Sequence, residues 1–174
     1  MKNKGFTLVE LLVIISMIAV LSTLTFIDYG ASNRSFELDR TAQKIAQDMR
    51  IVQQKSLSGL GTGEDINGWG VYFSVAGNDY SIYENNNITP YYDSEDSIIE
   101  TIDISSNVEI ENLKRDAVLL SNLSISFFPP DPTIYIENYP HGSEGSITIH
   151  LTSDESQKRM IKINNSGRIE ITKL

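Results

Sequence analysis

The chain has 174 residues, enough for one globular domain and an anchoring segment but not for two full domains. Its formal net charge of −9 argues against nucleic acid as a partner of the domain as a whole, because an acidic surface repels phosphate. It contains no cysteine, which excludes a disulfide framework, thiol catalysis and a cysteine-rich zinc site.

The first predicted element is an apolar helix that begins at Phe6. From Phe6 to Ile27 the sequence is almost wholly apolar and contains neither glycine nor proline. At a rise of about 1.5 Å per residue this segment would reach roughly 33 Å, enough to cross a hydrocarbon core. Lys2 and Lys4 precede it, and Asp28 is the first charge beyond it. The positive-inside rule then predicts a cytoplasmic N-terminus and an exported remainder.

Two ordinary interpretations of this segment are a cleaved secretory signal and a plain signal anchor. A secretory signal needs small residues at its cleavage site, and the best candidate, at 19–23, has Leu21 in the wrong place. A signal anchor fits the length and the orientation. Neither accounts for Glu10, because insertion of its carboxylate into hydrocarbon costs about 2.5 to 3.5 kcal/mol. The span holds no Lys, Arg or His that could pair with it.

Glu10 therefore predicts a cationic partner made by cutting the chain nearby. Cleavage after Gly5 would create a free α-amino group on Phe6. That amine lies about one turn from its own Glu10, so an amine on a neighbouring helix in a staggered assembly is the more productive partner. A buried pair of this kind fixes register more than it adds stability. The alternative is a charge tolerated near the interface by snorkelling.

The motif that carries these residues resembles the processing site of type IV prepilins and pseudopilins; it reads Lys4-Gly5-Phe6-Thr7-Leu8-Val9-Glu10 and continues into the apolar helix. The resemblance implies that a prepilin peptidase cuts between Gly5 and Phe6 on the cytoplasmic side. It also implies that the new N-terminus of Phe6 is methylated and that Glu10 pairs with a neighbour's Phe6 amine during assembly.

Two consequences concern the mature subunit. Removal of the leader also removes Lys2 and Lys4, so the mature side-chain charge is 12 minus 23, or −11. Many major pilins carry a helix-kinking proline near the position of Ile27. Its absence here favours a minor pilin or a pseudopilin.

The second predicted element is an amphipathic helix over 31–58. Apolar residues recur at steps of four and three and so share one helical face: Leu38, Ala42, Ile45, Met49 and Val52. Ser58 and Gly59 supply a stop. One continuous helix is favoured over a separate second helix after a break near Gly30, because a glycine costs only ~1 kcal/mol in a helix.

Beyond a glycine-rich link (59–68), the apolar period changes from helical to two. A hairpin is predicted over 69–83 with its turn at 76–79, followed by strands at 98–104, 123–128, 133–137, 146–151, 160–163 and 168–172. In 146–151 one face is apolar and the other polar, as in a half-buried antiparallel sheet. The predicted fold class is α+β, a long N-terminal helix packed on an antiparallel β-sheet head, which is the pilin fold.

The C-terminal half resembles the GspH/FimT type of minor pseudopilin. The resemblance rests on 125–130, on the strand at 146–151 and on 160–169, where Gly167 precedes Arg168 in a turn. After Phe128 the chain reads Pro-Pro-Asp-Pro where that family has Pro-x-Gly.

The predicted organisation is a leader at 1–5, a transmembrane and assembly helix at 6–29, an amphipathic helix at 30–58 and a β-rich head at 59–174. Such a chain would span the cytoplasmic (inner) membrane once, with its head outside, and assemble into an extracytoplasmic filament. Its expected partners are prepilin peptidase, other pilin or pseudopilin subunits and the membrane. The machine served, whether type II secretion, a type IV pilus or DNA uptake, stays open.

Two alternative functions are a minor pilin whose head binds DNA or a surface ligand, and an anchored exported protein that does not polymerise. A weakly basic C-terminal edge favours DNA binding. It combines three acidic residues with five cations: Lys158, Arg159, Lys162, Arg168 and Lys173.

No enzyme, cofactor or metal site is expected. The three glycines at 59, 61 and 63 lack the strand and the lysine of a phosphate loop, and 142–145 falls one residue short of a nucleophile elbow. The acidic patch of Asp93, Glu95 and Asp96 lacks the ligand spacing of a calcium loop. His141 and His150 are expected to be exposed.

Overall fold

The computed structural model describes residues 5–59, 67–129 and 133–174, without the side chains of 24–32. Lys2, Lys4, Gly61, Gly63 and the segment 130–132 therefore lie outside the described residues. The chain divides into two compact units, Met1–Phe36 and Glu37–Leu174.

One helix, α1 (Leu8–Leu57), opens the described chain. Its bounds include Gly30, so the predicted continuous helix is confirmed and the alternative of a separate second helix is not observed. Gly59 follows the helix with φ of 63°, and its N–H donates to the Ser56 carbonyl at 3.2 Å. This left-handed residue ends the helix where the sequence predicts.

Ten strands follow among the described residues: β1 (Gly68–Ser74), β2 (Asp79–Asn85), β3 (Ser97–Asp103), β4 (Val108–Arg115), β5 (Val118–Leu120), β6 (Asn122–Phe128), β7 (Thr133–Ile136), β8 (Glu144–Leu151), β9 (Asp154–Asn164) and β10 (Ile169–Lys173). The strands β4 and β5 were absent from the sequence prediction, and β9 begins six residues earlier than predicted, at 154 instead of 160.

The strands form two five-stranded sheets in which every pairing is antiparallel. The first sheet has the order β3-β2-β1-β6-β7 and the second β10-β9-β8-β4-β5. The predicted α+β class, a long helix packed on an antiparallel β-rich head, is confirmed, and the head divides into two sheets that the prediction did not distinguish. The reason for this division is that β4 pairs with β8, far along the chain, instead of continuing from β3.

The part of α1 that belongs to the second unit covers the core of the head. The predicted stripe is confirmed, since its side chains are all at most 1% exposed: Leu38, Ala42, Ile45, Met49 and Val52. These side chains form one hydrophobic cluster with residues of both sheets. Burying one large apolar side chain contributes about 1.5 to 3 kcal/mol, so this stripe accounts for much of the attachment of the helix to the sheets.

Strand β8 differs from its prediction on the polar face. Ser146 and Thr148 are buried and His150 is half-buried, whereas a solvated face was predicted. Strand β8 is the centre of the second sheet, and neighbouring side chains flank it. Ser146 lies between Lys162 of β9 and Lys114 of β4 in the register. Long flanking side chains therefore cover the small ones.

Candidate processing and assembly site

The predicted cleavage site lies just ahead of α1. Gly5, Phe6 and Thr7 precede the first helical residue, and the Phe6 side chain is 81% exposed. A Cβ added at Gly5 would meet no atom within 4 Å. Nothing in the described chain therefore requires glycine at position 5, so a requirement for glycine there would come from an enzyme that reads the site.

Thr7 and Glu10 form a capping box at the start of the helix. The Glu10 N–H donates to the Thr7 Oγ1 at 3.3 Å, and the Thr7 N–H donates to the Glu10 Oε2 at 2.9 Å. The Thr7 hydroxyl donates to the same carboxylate oxygen at 2.9 Å. This reciprocal arrangement satisfies two helix N–H groups that have no partner within the helix. The sequence analysis missed it, although the spacing Thr-x-x-Glu was its signal.

The cap defines the state of Glu10 in a single chain. Its carboxylate accepts hydrogen bonds from the N–H and the hydroxyl of Thr7. Because both donors are neutral, Thr7 does not balance the negative charge of Glu10. The predicted partner, the Phe6 amine of a neighbour, belongs to another chain, and this pairing stays a prediction. The leader charges Lys2 and Lys4 lie outside the described residues.

The helix surface around this site is apolar on all sides. Every large hydrophobic residue from Leu8 to Leu21 is exposed. A helix that is apolar all round requires an apolar environment, either lipid or other helices. None of the helices in the described parts of the chain meets the length and hydropathy expected of a membrane span.

Hydroxyl groups in this stretch are satisfied within the helix itself. Ser16 donates to the Val13 carbonyl at 2.8 Å, and Ser22 donates to the Ile18 carbonyl at 2.8 Å. Thr23 makes the same kind of bond. A polar side chain bonded in this way presents little unmet hydrogen-bonding capacity to an apolar surrounding.

In the second unit, polar side chains fasten the helix to the sheets. Asp39 accepts from the Nε of Arg159 at 2.5 Å, and the Arg159 side chain is 5% exposed. Asp48 accepts from the Tyr80 hydroxyl at 2.5 Å. Burial, followed by this hydrogen bond, raises the pKa of Tyr80 far above its usual range. These contacts fix the rotation and register of the helix, whereas the apolar stripe provides most of the burial.

Four of the five cations of the basic C-terminal edge are paired with carboxylates. Lys158 pairs with Glu111 at 2.6 Å, and Lys162 pairs with Glu144 at 2.7 Å. Arg159 is the buried partner of Asp39, and Arg168 pairs with Glu170. Cations held by carboxylates release few counterions from DNA, so this arrangement gives no support to capture of nucleic acid.

The acidic patch of the head is a hydrogen-bonded loop. Asp93 accepts from the Thr89 hydroxyl at 2.7 Å and from the Glu95 N–H at 2.8 Å. Asp96 accepts from the N–H groups of Asn86 and Asp93 at 3.1 and 3.0 Å. Within the described residues no group of three or more acidic or histidine side chains has the geometry to hold a metal ion.

The two histidines lie apart in the fold. His141 is exposed in the loop before β8, as predicted. His150 lies on β8 and is half-buried, and its Nδ1 has no hydrogen-bond partner, so the prediction of an exposed side chain is wrong for it. In the register His150 stands between Glu109 and Lys158, whose long side chains limit the access of water.

Residues 1–26 match the family described as "Prokaryotic N-terminal methylation motif". The fold is similar to that of the type IV minor pilin FimU of Pseudomonas aeruginosa in a P21 crystal form, with a TM-score of 0.50 and 14% identity over 78% of this chain and 88% of FimU. A P65 crystal form of FimU gives a TM-score of 0.48 with 14% identity over 78% of this chain and 92% of FimU. No curated protein sequence matches the chain significantly. The chain thus has a pilin fold behind a prepilin-type N-terminus.

Proposed function

We propose that this chain is a minor pilin or pseudopilin of the GspH/FimT type, a structural subunit of a type IV filament machine such as the type II secretion pseudopilus or a type IV pilus. The observation that carries the proposal is a single carboxylate, Glu10, in the first turn of α1, where the stretch from Leu8 to Leu21 exposes large apolar side chains on every side. The methylation motif and the pilin fold support the same assignment.

Processing is the first step of the proposed mechanism. A prepilin peptidase removes residues 1–5 by cutting between Gly5 and Phe6, and the new α-amino group of Phe6 is methylated. The exposed, non-helical segment ahead of α1 supports access of a peptidase to this bond. Removal of Lys2 and Lys4 takes away the charges that hold the N-terminus on the cytoplasmic side.

Before assembly, the segment 6–29 anchors the subunit in the inner membrane, with the head outside. The apolar run from Phe6 to Ile27 and the internally bonded hydroxyl groups support this location. The segment 30–58 then packs on the head, which occupies 59–174.

During assembly the subunit leaves the membrane and enters the filament beside other pilin subunits. Glu10 forms an ion pair with the positively charged Phe6 amine of a neighbouring subunit. This pairing removes the energetic cost of an unpaired carboxylate in apolar surroundings. Because one residue of each subunit must meet one residue of the next, the pairing sets the axial stagger of the filament.

Intact-mass measurement of the full chain extracted from membranes of a host with a prepilin peptidase tests the processing step. We expect the wild-type mass to correspond to a chain that begins at Phe6 and carries one methyl group, and Gly5→Ala to retain the leader. Because a methyl group added at Gly5 meets no atom of the described residues within 4 Å, a retained leader would reflect failed recognition and not misfolding.

The matched control is Ala76→Gly, another one-methyl change at an exposed turn position of the head, which should be processed normally. A wild-type product that begins at Met1, or a Gly5→Ala mass equal to that of the wild type, would contradict the proposal. Either result would favour an anchored protein that does not polymerise.

A further inference from the structure

The outer face of the first sheet, opposite the helix, is rich in aromatic side chains. Tyr72 of β1 and Tyr83 of β2 point to this side, since the intervening positions of β1 are the core residues Trp69, Val71 and Phe73. Phe128 of β6 and Tyr135 of β7 continue the row, with their ring centroids 5.5 Å apart.

The loop 86–96, here called the strap, lies across this face. Tyr92 of the strap packs against Tyr72 and Tyr83, with ring centroids 4.7 and 5.1 Å apart. The Tyr92 N–H donates to the Ser124 hydroxyl at 2.9 Å, and the Ser126 hydroxyl donates to the Pro90 carbonyl at 3.0 Å. The strap is thus attached to β6 through its backbone.

The strap is also held internally. Asn87 donates to the Asp93 carboxylate at 2.9 Å and accepts from the Thr89 N–H at 2.8 Å, and Asp96 closes the loop through the Asn86 N–H. A loop ordered in this way loses little conformational entropy when it meets a partner.

The large apolar side chains of the strap nevertheless point outward. Ile88 is 87% exposed and Tyr91 is 40% exposed, although Tyr92 covers the sheet. Tyrosines presented among serine and asparagine on a rigid loop have the composition of protein-binding surfaces, because they offer large contact area at low entropic cost.

The charge carried by the elements of this face has one sign. The five strands of the first sheet and the strap together hold seven Asp and Glu and no Lys, Arg or His. Such a surface repels phosphate and attracts cations.

We propose that the strap and the adjoining outer face of the first sheet are a docking surface for a second protein that presents a basic, Lys- or Arg-bearing surface. Cationic side chains gain both from the carboxylates of these elements and from the exposed ring of Tyr91. A second copy of this chain is a poorer match, because four of the five cations of its own basic C-terminal edge are already paired with carboxylates.

Site-specific photo-crosslinking of the full chain in its native membranes tests the surface. Tyr91→p-benzoylphenylalanine should give a discrete adduct with another protein whose crosslinked peptide is rich in Lys and Arg. The same probe at Leu119, an exposed apolar residue of β5 in the second sheet, is the matched control and should not give this adduct.

Positive charge added to the strap sharpens the test. Glu95→Lys and Ser94→Lys, both at exposed strap positions, should lower the adduct yield about three- to ten-fold. Glu155→Lys, the same reversal at an exposed position of β9, should leave the yield unchanged. An adduct with another copy of this chain, with nucleic acid, with lipid or with an acidic peptide would overturn the proposal. So would an adduct no stronger than that at Leu119. The intact mass of the same preparation reports leader removal, which separates a failed contact from failed processing.

Discussion

The two units of the chain treat polar and apolar groups in opposite ways. In the first unit the large apolar side chains from Leu8 to Leu21 are exposed, and polar groups bond locally, as Thr7 does with Glu10. In the second unit the apolar stripe is enclosed, and polar groups reach far along the chain, as Asp39 does to Arg159 across 120 residues. The polar and apolar groups of the head thus find their contacts within the head, whereas the exposed apolar side chains of the helix require contacts from outside the chain.

The largest expected effect tests how closely the head is packed. A Cβ at Gly70 would overlap the buried ring of Tyr83, whose hydroxyl is held by Ser124 and Ser126 at 2.8 and 2.7 Å. Because the ring has nowhere to move, we expect Gly70→Ala to lower the free energy of unfolding by about 3 kcal/mol. Urea unfolding followed by the fluorescence of Trp69, the single tryptophan, measures it.

The control for that prediction is Gly145→Ala. There the nearest atom to the added Cβ is a methyl carbon of Ile136 at 3.2 Å, which a small adjustment can relieve. We expect a loss of about 1 kcal/mol or less. Equal stability of Gly70→Ala and the wild type would show that the head is not the close-packed unit that the comparison requires.

A smaller effect is expected at the ion pair between helix and sheet. Asp39→Asn removes the charge that faces the buried Arg159, and burial of an unpaired guanidinium is costly. Since the Asp39 side chain is 43% exposed, solvent screening reduces the loss to about 1 to 3 kcal/mol. The double variant with Arg159→Met should recover part of it. A loss no greater than that of Glu144→Gln, which breaks an exposed pair, would contradict the fastening role of Asp39.

The smallest effect concerns pH. The Ser105 hydroxyl, followed by Asn107, holds the pKa of Glu37 below its ordinary value of 4.5. The pKa of Asp93 and that of Asp154 are likewise lowered, by hydrogen bonds from Thr89 and Ser156 first. A lowered pKa contributes stability above the unfolded-state value, and this stability is lost as pH falls through the folded-state value. Urea midpoints should therefore decrease as pH falls below about 4.5.

Asp96 acts in the opposite sense. Burial raises its pKa, so its contribution is present at low pH and is lost as pH rises through the raised value. We expect the three groups with a lowered pKa to set the net direction, and Glu37→Gln should make the acid-side decrease in the urea midpoint shallower. A urea midpoint that is constant or rises on acidification would contradict the assignment.

The sequence predicts the elements that follow a regular period. The stripe from Leu38 to Val52 has helical spacing, and the first hairpin alternates apolar and polar residues up to a turn at Asn78, whose φ is 50°. Gly167, with φ of 82°, likewise occupies the predicted turn before β10. In each case a local pattern decides the structure, so no distant contact has to be known.

Strand β4 shows why other elements escape prediction. Its register shifts between Ile110 and Asn112, so Glu111 is a bulge residue and Leu113, not Asn112, returns to the buried side. The bulge interrupts the period of two that identifies a strand. Assignment of β4 to the second sheet depends on its pairing with β8. The two strands are far apart in the sequence, so no local pattern predicts this pairing.

The functional and fastening residues likewise divide into those that the sequence pattern marks and those that depend on distant partners. The roles of Gly5, Phe6 and Glu10 are predicted from the sequence, because a motif and an unpaired charge mark them, and they stay predictions. The contacts of Asp39 and Asp48 were missed, since polar residues off the apolar stripe look solvated until their distant partners Arg159 and Tyr80 are known.

The central claim is that the N-terminal helix finds its partner in another subunit through the charge of Glu10. Glutamine at this position keeps an acceptor for the capping box, so Glu10→Gln removes the charge but preserves the cap. Thr7→Ala does the reverse, since it costs about 1 kcal/mol of capping but leaves the carboxylate in place.

The most direct test measures the fraction of each processed variant that enters filaments sheared from cells. We predict that Glu10→Gln stays in the membrane fraction while Thr7→Ala enters filaments at a level close to that of the wild type. If Glu10→Gln enters filaments as readily as the wild type, the charge of Glu10 has no role in assembly and the account is wrong.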